Sequence, residues 1–424
     1  MPRSESEVIS MNKLNFTKSQ ELWNEALDLV PGGVLGIRRP YNFVPGEYPY
    51  FLSKGKGGRI WDPDGNEYID FLCAYGPIIL GHCEPEIDEA VAEQASRGFC
   101  FNLCQPVQNE LMKRLKKIIP CFEQGFTVKT GSDAATAATR IARGFTKRAK
   151  ILRCGYHGWH DWCVETHGGI PPKLYEDTFE FHYNDIDSLE KLLAQNKGDV
   201  AAIIITPVGH PLAKPVEEPK PGFLEGVRRL ATEHGAVLIF DEIRSGFRVS
   251  LGGAQERYKV TPDLALFGKA IANGYPIGIV CGRRDIMKPL TDGEVFISST
   301  FFPNSLEIVA ALKTVEILER EKVPEKIWER GTAFLKSVHE IIHSSGVPAH
   351  LSGIPPMPYI TFPADPEKKY KERRKLFFTE AVRRGLFMQP YHHSYIAYRH
   401  TDEDLKQAAN IIKDSLAEVK KQIP

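Results

Sequence analysis

The chain has 424 residues with 54 basic and 54 acidic side chains, so no net field draws it to nucleic acid or to an anionic membrane. Hydrophobic residues make up 42% and charged residues 25%, the balance of a soluble globular protein long enough for two or three domains. No apolar run reaches the 18 residues that a spanning helix needs, and "MPRSESEVISMNKLNFTKSQ" has no apolar stretch of the kind that directs secretion. Met11 could itself be the start. The cysteines at 73, 83, 100, 104, 121, 154, 163 and 281 form no CxxC pair and no zinc-type spacing, so they read as reduced thiols, mostly core, in a cytoplasmic protein with no metal. Cys100 and Cys104 could share a helix face, although two thiols alone make a poor metal site.

In chain order, "GGRIWDPDGNEYIDF" predicts a hairpin, two alternating strands around a "DPDGN" turn. Short β-branched runs then alternate with amphipathic helices. "FTVKT" (126–130) precedes the small-residue helix "SDAATAATRIARGF". "KILRC" (150–154), "VAAIIIT" (200–206), "AVLIFDE" (236–242), "LALFG" (264–268) and "PIGIVCG" (276–282) follow as further strands. Continuous apolar runs separated by helices imply strands buried on both faces, hence a mostly parallel sheet in an α/β domain over 71–310. Beyond it come long helices, the Pro-rich strand region "SGIPPMPYITFP" and the charged helix "EKKYKERRKLFFTEAVRRG", whose charge run reads as a solvated face. Residues 1–70 and 311–424 are expected to build one smaller α+β domain.

Ligands of such sheets sit at the carboxyl ends of the strands. Lys269 follows "LALFG" there, inside the apolar "PDLALFGKAIANGYPIG". An arbitrary lysine in that setting snorkels to solvent, whereas a buried amine of low pKa is a nucleophile. Three other strand ends bear on the choice by their company. Asp241 ends "AVLIFD", "TGSDAA" joins a strand to a helix, and "GYHGWHD" follows "KILRC". Pyridoxal phosphate needs an amine to condense with its aldehyde, a carboxylate to keep its ring nitrogen protonated, amides at a helix start for its phosphate, and a flat side chain over its ring. Lys269, Asp241, Gly131 with Ser132, and Tyr156 are the respective candidates. Taken singly, each has a commoner structural reading: an N-cap, strand punctuation, or loop packing.

"LFGKAIANGYPIG", "LIFDEIRSGFRV", "KTGSDAATAATRIARG", "YHGWHD" and "WDPDGNEYIDFLCAYGPIILGH" resemble the class III pyridoxal-phosphate aminotransferases. "PGGV" and "HTDEDL" near the two ends are similar to the subgroup containing glutamate-1-semialdehyde aminomutase. The resemblance implies fold type I and a homodimer that shares its active sites. It makes Lys269 the Schiff-base lysine and proton shuttle, and Asp241 the partner of the pyridine nitrogen. Ile243 would lie on the ring face opposite Tyr156, and Gly131 and Ser132 would form the phosphate turn. Thr300 would reach the phosphate of the neighbouring subunit. It further implies Arg39 as an anchor for a substrate carboxylate, with Arg38 adjacent, and Tyr75 as an aromatic near the substrate.

Three departures separate the chain from the aminomutase. Thr206 in "TPVGHP" replaces the subgroup's glutamate, and His210 or Pro211 stands where an asparagine is usual. "QPYHHSYIAYRH" lacks a glutamate that faces the site, Ser394 being nearest. Residues 164–181 also look shorter than the aminomutase's gating loop, which favours release between half-reactions. His392 and His393 read as solvent-facing loop residues at least as readily as substrate contacts, and the resemblance makes "HGWH" scaffolding of the cofactor pocket rather than a ligand pair. The expected activity is amino transfer by a ping-pong mechanism between an amine or amino acid and a keto or aldehyde acceptor, at least one substrate carrying a carboxylate. The alternative on the same fold is an isomerase, a racemase or aminomutase.

Overall fold

The computed structural model describes residues 13–35, 42–209 and 216–423. Chain contacts divide it into two units: 76–80 with 84–326, and 1–75 with 81–83 and 327–424.

The first unit is built on seven strands: β1 (Gln124–Val128), β2 (Lys150–Cys154), β3 (Thr178–Glu180), β4 (Val200–Ile205), β5 (Val237–Asp241), β6 (Leu264–Phe267) and β7 (Gly278–Gly282). Their order across the sheet is β1-β7-β6-β5-β4-β2-β3. Neighbours from β6 through β3 pair in parallel, while β7 runs antiparallel to both β6 and β1. This is the mostly parallel α/β sheet of fold type I. All residues of β4, β5 and β6 are buried, as strands covered on both faces must be. One face packs on the helix Gly131–Thr146, whose Ala134, Ala135, Ala138 and Ile141 let its axis approach the strands closely. The other face packs on Leu189, Leu193, Phe223, Leu224 and Val227 of two further helices. Residues 164–181 are not loop throughout, since β3 occupies 178–180 at the sheet edge beside β2.

The second unit contains the expected hairpin, Arg59–Trp61 against Glu67–Asp70. Its turn is held by Asp62, whose Oδ1 accepts from the amides of Asp64 and Asn66, while Tyr68 donates to Oδ2. The strand Leu386–Phe387 joins this sheet in parallel, and His350–Ile354 with Met357–Thr361 forms a separate hairpin. Helices Lys369–Arg383 and Asp402–Gln422 pack on one another. The first of these buries Phe377, Phe378 and Val382 beneath its charged side.

Two expectations need correction. Cys100 and Cys104 lie in a loop between helices, both exposed, rather than on one helix face, because the preceding helix stops at Ser96. His393 is 1% exposed and stacks on the half-buried His392 at 4.3 Å, so His393 faces the interior of its unit and not solvent.

Candidate active site

The carboxyl ends of β2, β4, β5 and β6 converge because parallel pairing keeps them level: Cys154 pairs with Ile205, and Asp241 with Leu266. The residues just past those ends surround a cavity of about 190 Å³. Lys269, Asp241, Ile243, Tyr156, Gly131 and Ser132 all line it, so strand order has gathered six residues that span 139 positions of sequence.

Lys269 opens a short 3₁₀ turn, Lys269–Ala272, directly after β6. Its φ of 46° is left-handed, an uncommon conformation for a residue with a β-carbon and one that concentrates at functional sites. The flanking residues Leu264–Gly268 and Ala270–Ala272 are buried, while Lys269 itself is half-buried at the cavity wall. Asn273 closes the turn: its Oδ1 accepts from the amides of Ile79 and Leu80, each at 3.0 Å.

Asp241 is 3% exposed. Its Oδ1 accepts from the Ile243 amide at 3.1 Å, and its Oδ2 lies 2.7 Å from Nδ1 of His157. Nδ1 therefore donates, and no partner meets His157 Nε2 among the described residues. The next residue, Glu242, is fully buried. Its carboxylate accepts from the amides of Ala254 and Gln255 and from Ser245 Oγ, which fixes the segment that follows β5. Burial pushes that carboxyl above its ordinary value while these hydrogen bonds oppose the shift.

Thr130 caps the helix Gly131–Thr146 in a reciprocal box with Asp133, leaving the amides of the first turn directed at the cavity. Ser132 Oγ accepts from the Trp159 amide at 3.3 Å, which leaves its proton to donate. Gly158, at φ +112°, lies against Ser132 so closely that a β-carbon there would overlap the hydroxyl. Tyr156 is 43% exposed, with burial raising its phenol above the ordinary value, so it presents a neutral ring. The cavity fits pyridoxal phosphate on these observations: an amine, a fixed carboxylate, a helix start with a β-carbon-free cradle, and a flat ring.

Not all sequence-derived candidates meet here. Thr300 is exposed and does not line the cavity of its own chain. Tyr75 belongs to the second unit, where its hydroxyl accepts from Gln389 Nε2 at 3.2 Å and its ring meets His392 edge-on at 5.1 Å. Arg38, Arg39, His210 and Pro211 lie outside the described residues. His157 also lines the cavity, as part of the expected "HGWH" scaffolding, and Thr206 and Arg244 line it with no cofactor role assigned from sequence. Thr206 alone carried a signal, as the departure from the aminomutase pattern. In "HGWH" the two histidines part ways, His157 to Asp241 and His160 to Thr136 Oγ1 at 2.7 Å.

Fold and cavity together define a pyridoxal-phosphate enzyme of fold type I. The family model for class III aminotransferases matches residues 43–416. The chain is 60% identical to a 3-aminobutyryl-CoA aminotransferase of Cloacimonas acidaminovorans (strain Evry), with 97% of this chain and 99% of that protein covered. It is 35% identical to a glutamate-1-semialdehyde 2,1-aminomutase of Archaeoglobus fulgidus, covering 95% and 100%. Among solved structures, the pyridoxal-phosphate form of FumI from Sphingopyxis sp. MTA144 superposes with a TM-score of 0.91 at 28% identity, covering 96% and 97%. The chain belongs to the class III aminotransferase family, and it is a pyridoxal-phosphate-dependent aminotransferase. No helix among the described residues is long and apolar enough to cross a membrane.

Proposed function

We propose that the amino donor is a 3-amino acyl thioester, 3-aminobutyryl-CoA or a close analogue, and that the acceptor is a keto or aldehyde compound. The observation that carries the donor assignment is the 60% identity, over nearly the whole of both chains, to a 3-aminobutyryl-CoA aminotransferase. Bound pyridoxal phosphate supplies the electron sink that makes a C–H bond beside an amine acidic. Lys269 supplies the amine that anchors it, and in turnover Lys269 Nζ takes the proton from the carbon bearing the amino group. Asp241 keeps the ring nitrogen protonated by its negative charge. His157 donates to that carboxylate from Nδ1 and holds it in place. Gly131 and Ser132 hold the phosphate through the helix-start amides and the Ser132 hydroxyl. Tyr156 and Ile243 confine the ring from opposite faces.

The working form in this reading is a homodimer in which Thr300 serves the partner's phosphate, in keeping with its exposure on the single chain. Arg39 and Tyr75 retain the substrate-facing roles that the family resemblance implies. The eight free thiols suit a reducing compartment such as the cytoplasm.

The test is a single half-reaction without acceptor, using 3-aminobutyryl-CoA, free 3-aminobutyrate and glutamate 1-semialdehyde in turn. Loss of the cofactor's yellow colour with one equivalent of 3-oxobutyryl-CoA is the expected result. Proton exchange or a rearranged amine without oxo product would instead identify an isomerase. A response to free 3-aminobutyrate alone would remove the thioester from the assignment.

A further inference from the structure

The helix Lys369–Arg383 of the second unit buries Phe377, Phe378 and Val382, and the roles given above make no use of its opposite side. Most cations on and around it are neutralised within the unit. Lys369 pairs with Glu367 at 2.7 Å, Arg373 with Asp365 at 3.5 Å, Arg383 with Glu47 at 2.8 Å, and Arg384 with Glu380. Lys368, Lys371 and Lys375 are exposed and meet no acidic side chain among the described residues, although Glu372 stands three positions from Lys375. Spacings of three and four bring these lysines, with Arg374, to one side of the start of the helix.

Arg374 is engaged differently. Its guanidinium lies 4.3 Å from the centre of the Tyr391 ring and donates to the Tyr391 hydroxyl at 2.9 Å. A ring and a neutral hydroxyl hold a guanidinium in place without cancelling its charge, so the group is preorganised for an anion. Tyr391 is itself 42% exposed. The next residue, His392, meets the Tyr75 ring edge-on at 5.1 Å, and Gln389 donates to the Tyr75 hydroxyl. One strip of the second unit therefore runs from a cationic helix face through Tyr391 and His392 to Tyr75, the residue read above as facing the substrate.

A coenzyme A thioester has matching ends. Its acyl group reacts, and at the far end of a long neutral pantetheine arm it carries an adenosine diphosphate with a further phosphate, hence several negative charges. We propose that Lys368, Lys371, Arg374 and Lys375 form a phosphate subsite that holds this nucleotide end while the acyl end lies toward Tyr75. The lysines act as point charges and Arg374 as a forked donor. The inference rests on the thioester reading of the donor and deepens it.

The experiment uses the cofactor-loaded enzyme at low salt, with acetyl-CoA, which has no amine, as a probe of binding alone. Lys371→Glu with Lys375→Glu should raise the acetyl-CoA dissociation constant about 10- to 100-fold, and Arg374→Gln about 10-fold. Added salt should weaken wild-type binding steeply and that of the double variant little. In the half-reaction, the half-saturating concentration of 3-aminobutyryl-CoA should rise likewise with its limiting rate kept. The N-acetylcysteamine thioester of the same acid, which has no nucleotide, should react unchanged. Lys191→Glu with Lys197→Glu makes the same charge change at exposed lysines of the first unit. An equal loss there would reduce the effect to net charge and overturn the proposal. Wild-type protein that does not bind acetyl-CoA, or variants that bind it as the wild type does, would also overturn it. If acetyl-CoA binds and the variants weaken it, but 3-aminobutyryl-CoA yields no oxo product, the donor reading fails and the phosphate subsite stands.

Discussion

Asp241 and His157 share a 2.7 Å hydrogen bond inside a site from which water is largely excluded, so each depends on the other. Removing the charge with Asp241→Asn is expected to lower turnover by about 10²–10³-fold while cofactor stays bound, as loss of a preorganised electrostatic group does. His157→Phe keeps the carboxylate but frees it to rotate. A smaller loss of about 10-fold is expected, with a shift in the pH dependence of the cofactor's visible band, since a charge-assisted hydrogen bond is lost. A wild-type band in that variant would deny His157 its positioning role. Lys269→Ala should reduce turnover by at least about 10³-fold while dialysis still leaves cofactor bound, because the proposed proton carrier is gone and the other proposed contacts remain. At this scale the sequence was informative about Lys269 and Asp241, whose apolar surroundings and strand-end positions show in the string of residues. His157 was not legible in the same way. Its neighbours are glycines and aromatics, and only the turn after β2 shows which of two histidines meets the carboxylate.

Elements show how the site is held. The small-residue helix Gly131–Thr146 begins at a capping box, and its first turn is packed against Gly158. Gly158→Ala forces a β-carbon into the Ser132 hydroxyl at a left-handed φ, so the cradle must open. Faster loss of cofactor on dialysis, with the far-ultraviolet spectrum unchanged, is the expected outcome; wild-type retention would argue against a phosphate at this turn. In β4, Ile203 is fully buried, and Ile203→Ala is expected to cost about 2–5 kcal/mol in denaturant melts. The strands of the first unit were readable as continuous apolar runs, because burial on both faces leaves no polar alternation to confuse them. Strand β3 was missed for the opposite reason: at three residues on a sheet edge, "TFE" has neither an apolar run nor periodicity. The turn Cys73–Ala74–Tyr75 was equally opaque. Its three successive residues have φ of 46°, 53° and 67°, and no glycine among them signals the left-handed path. Asp70 holds it by accepting from the Leu72 and Cys73 amides, with His82 Nε2 on its other oxygen at 2.8 Å.

For the molecule as a whole, acid stability and assembly are the testable properties. His400 is fully buried in the second unit, bonded through Nε2 to the Asp70 carbonyl and through Nδ1 to the Ala397 amide, and burial lowers its pKa from 6.5. The unfolded chain therefore takes up a proton first on acidification, so the stability this group contributes is lost as pH falls below about 6.5. Asp404, held below its ordinary value of 3.8 by the Thr401 cap and Arg59 against the opposing effect of burial, adds a separate loss below about that pH. Thermal melts should fall in these two windows. A melting temperature flat between pH 7.5 and 5 would contradict the first. Sedimentation at twice the chain mass, with Thr300→Ala weakening phosphate retention without changing that mass, is the expectation for a shared site. A monomer with full activity would end the reading of Thr300.

The sequence by itself determined the family, the α/β class and the candidate amine and carboxylate that the fold brings to one cavity, because these are written in local patterns of apolar runs, strand ends and glycine turns. Tertiary structure alone decided that His157, rather than His160, fixes Asp241, and that Thr206 and Arg244 line the same cavity. The physical reason is that a side chain's partner depends on where parallel pairing and packing set the ends of strands remote in sequence, and no local pattern encodes that meeting.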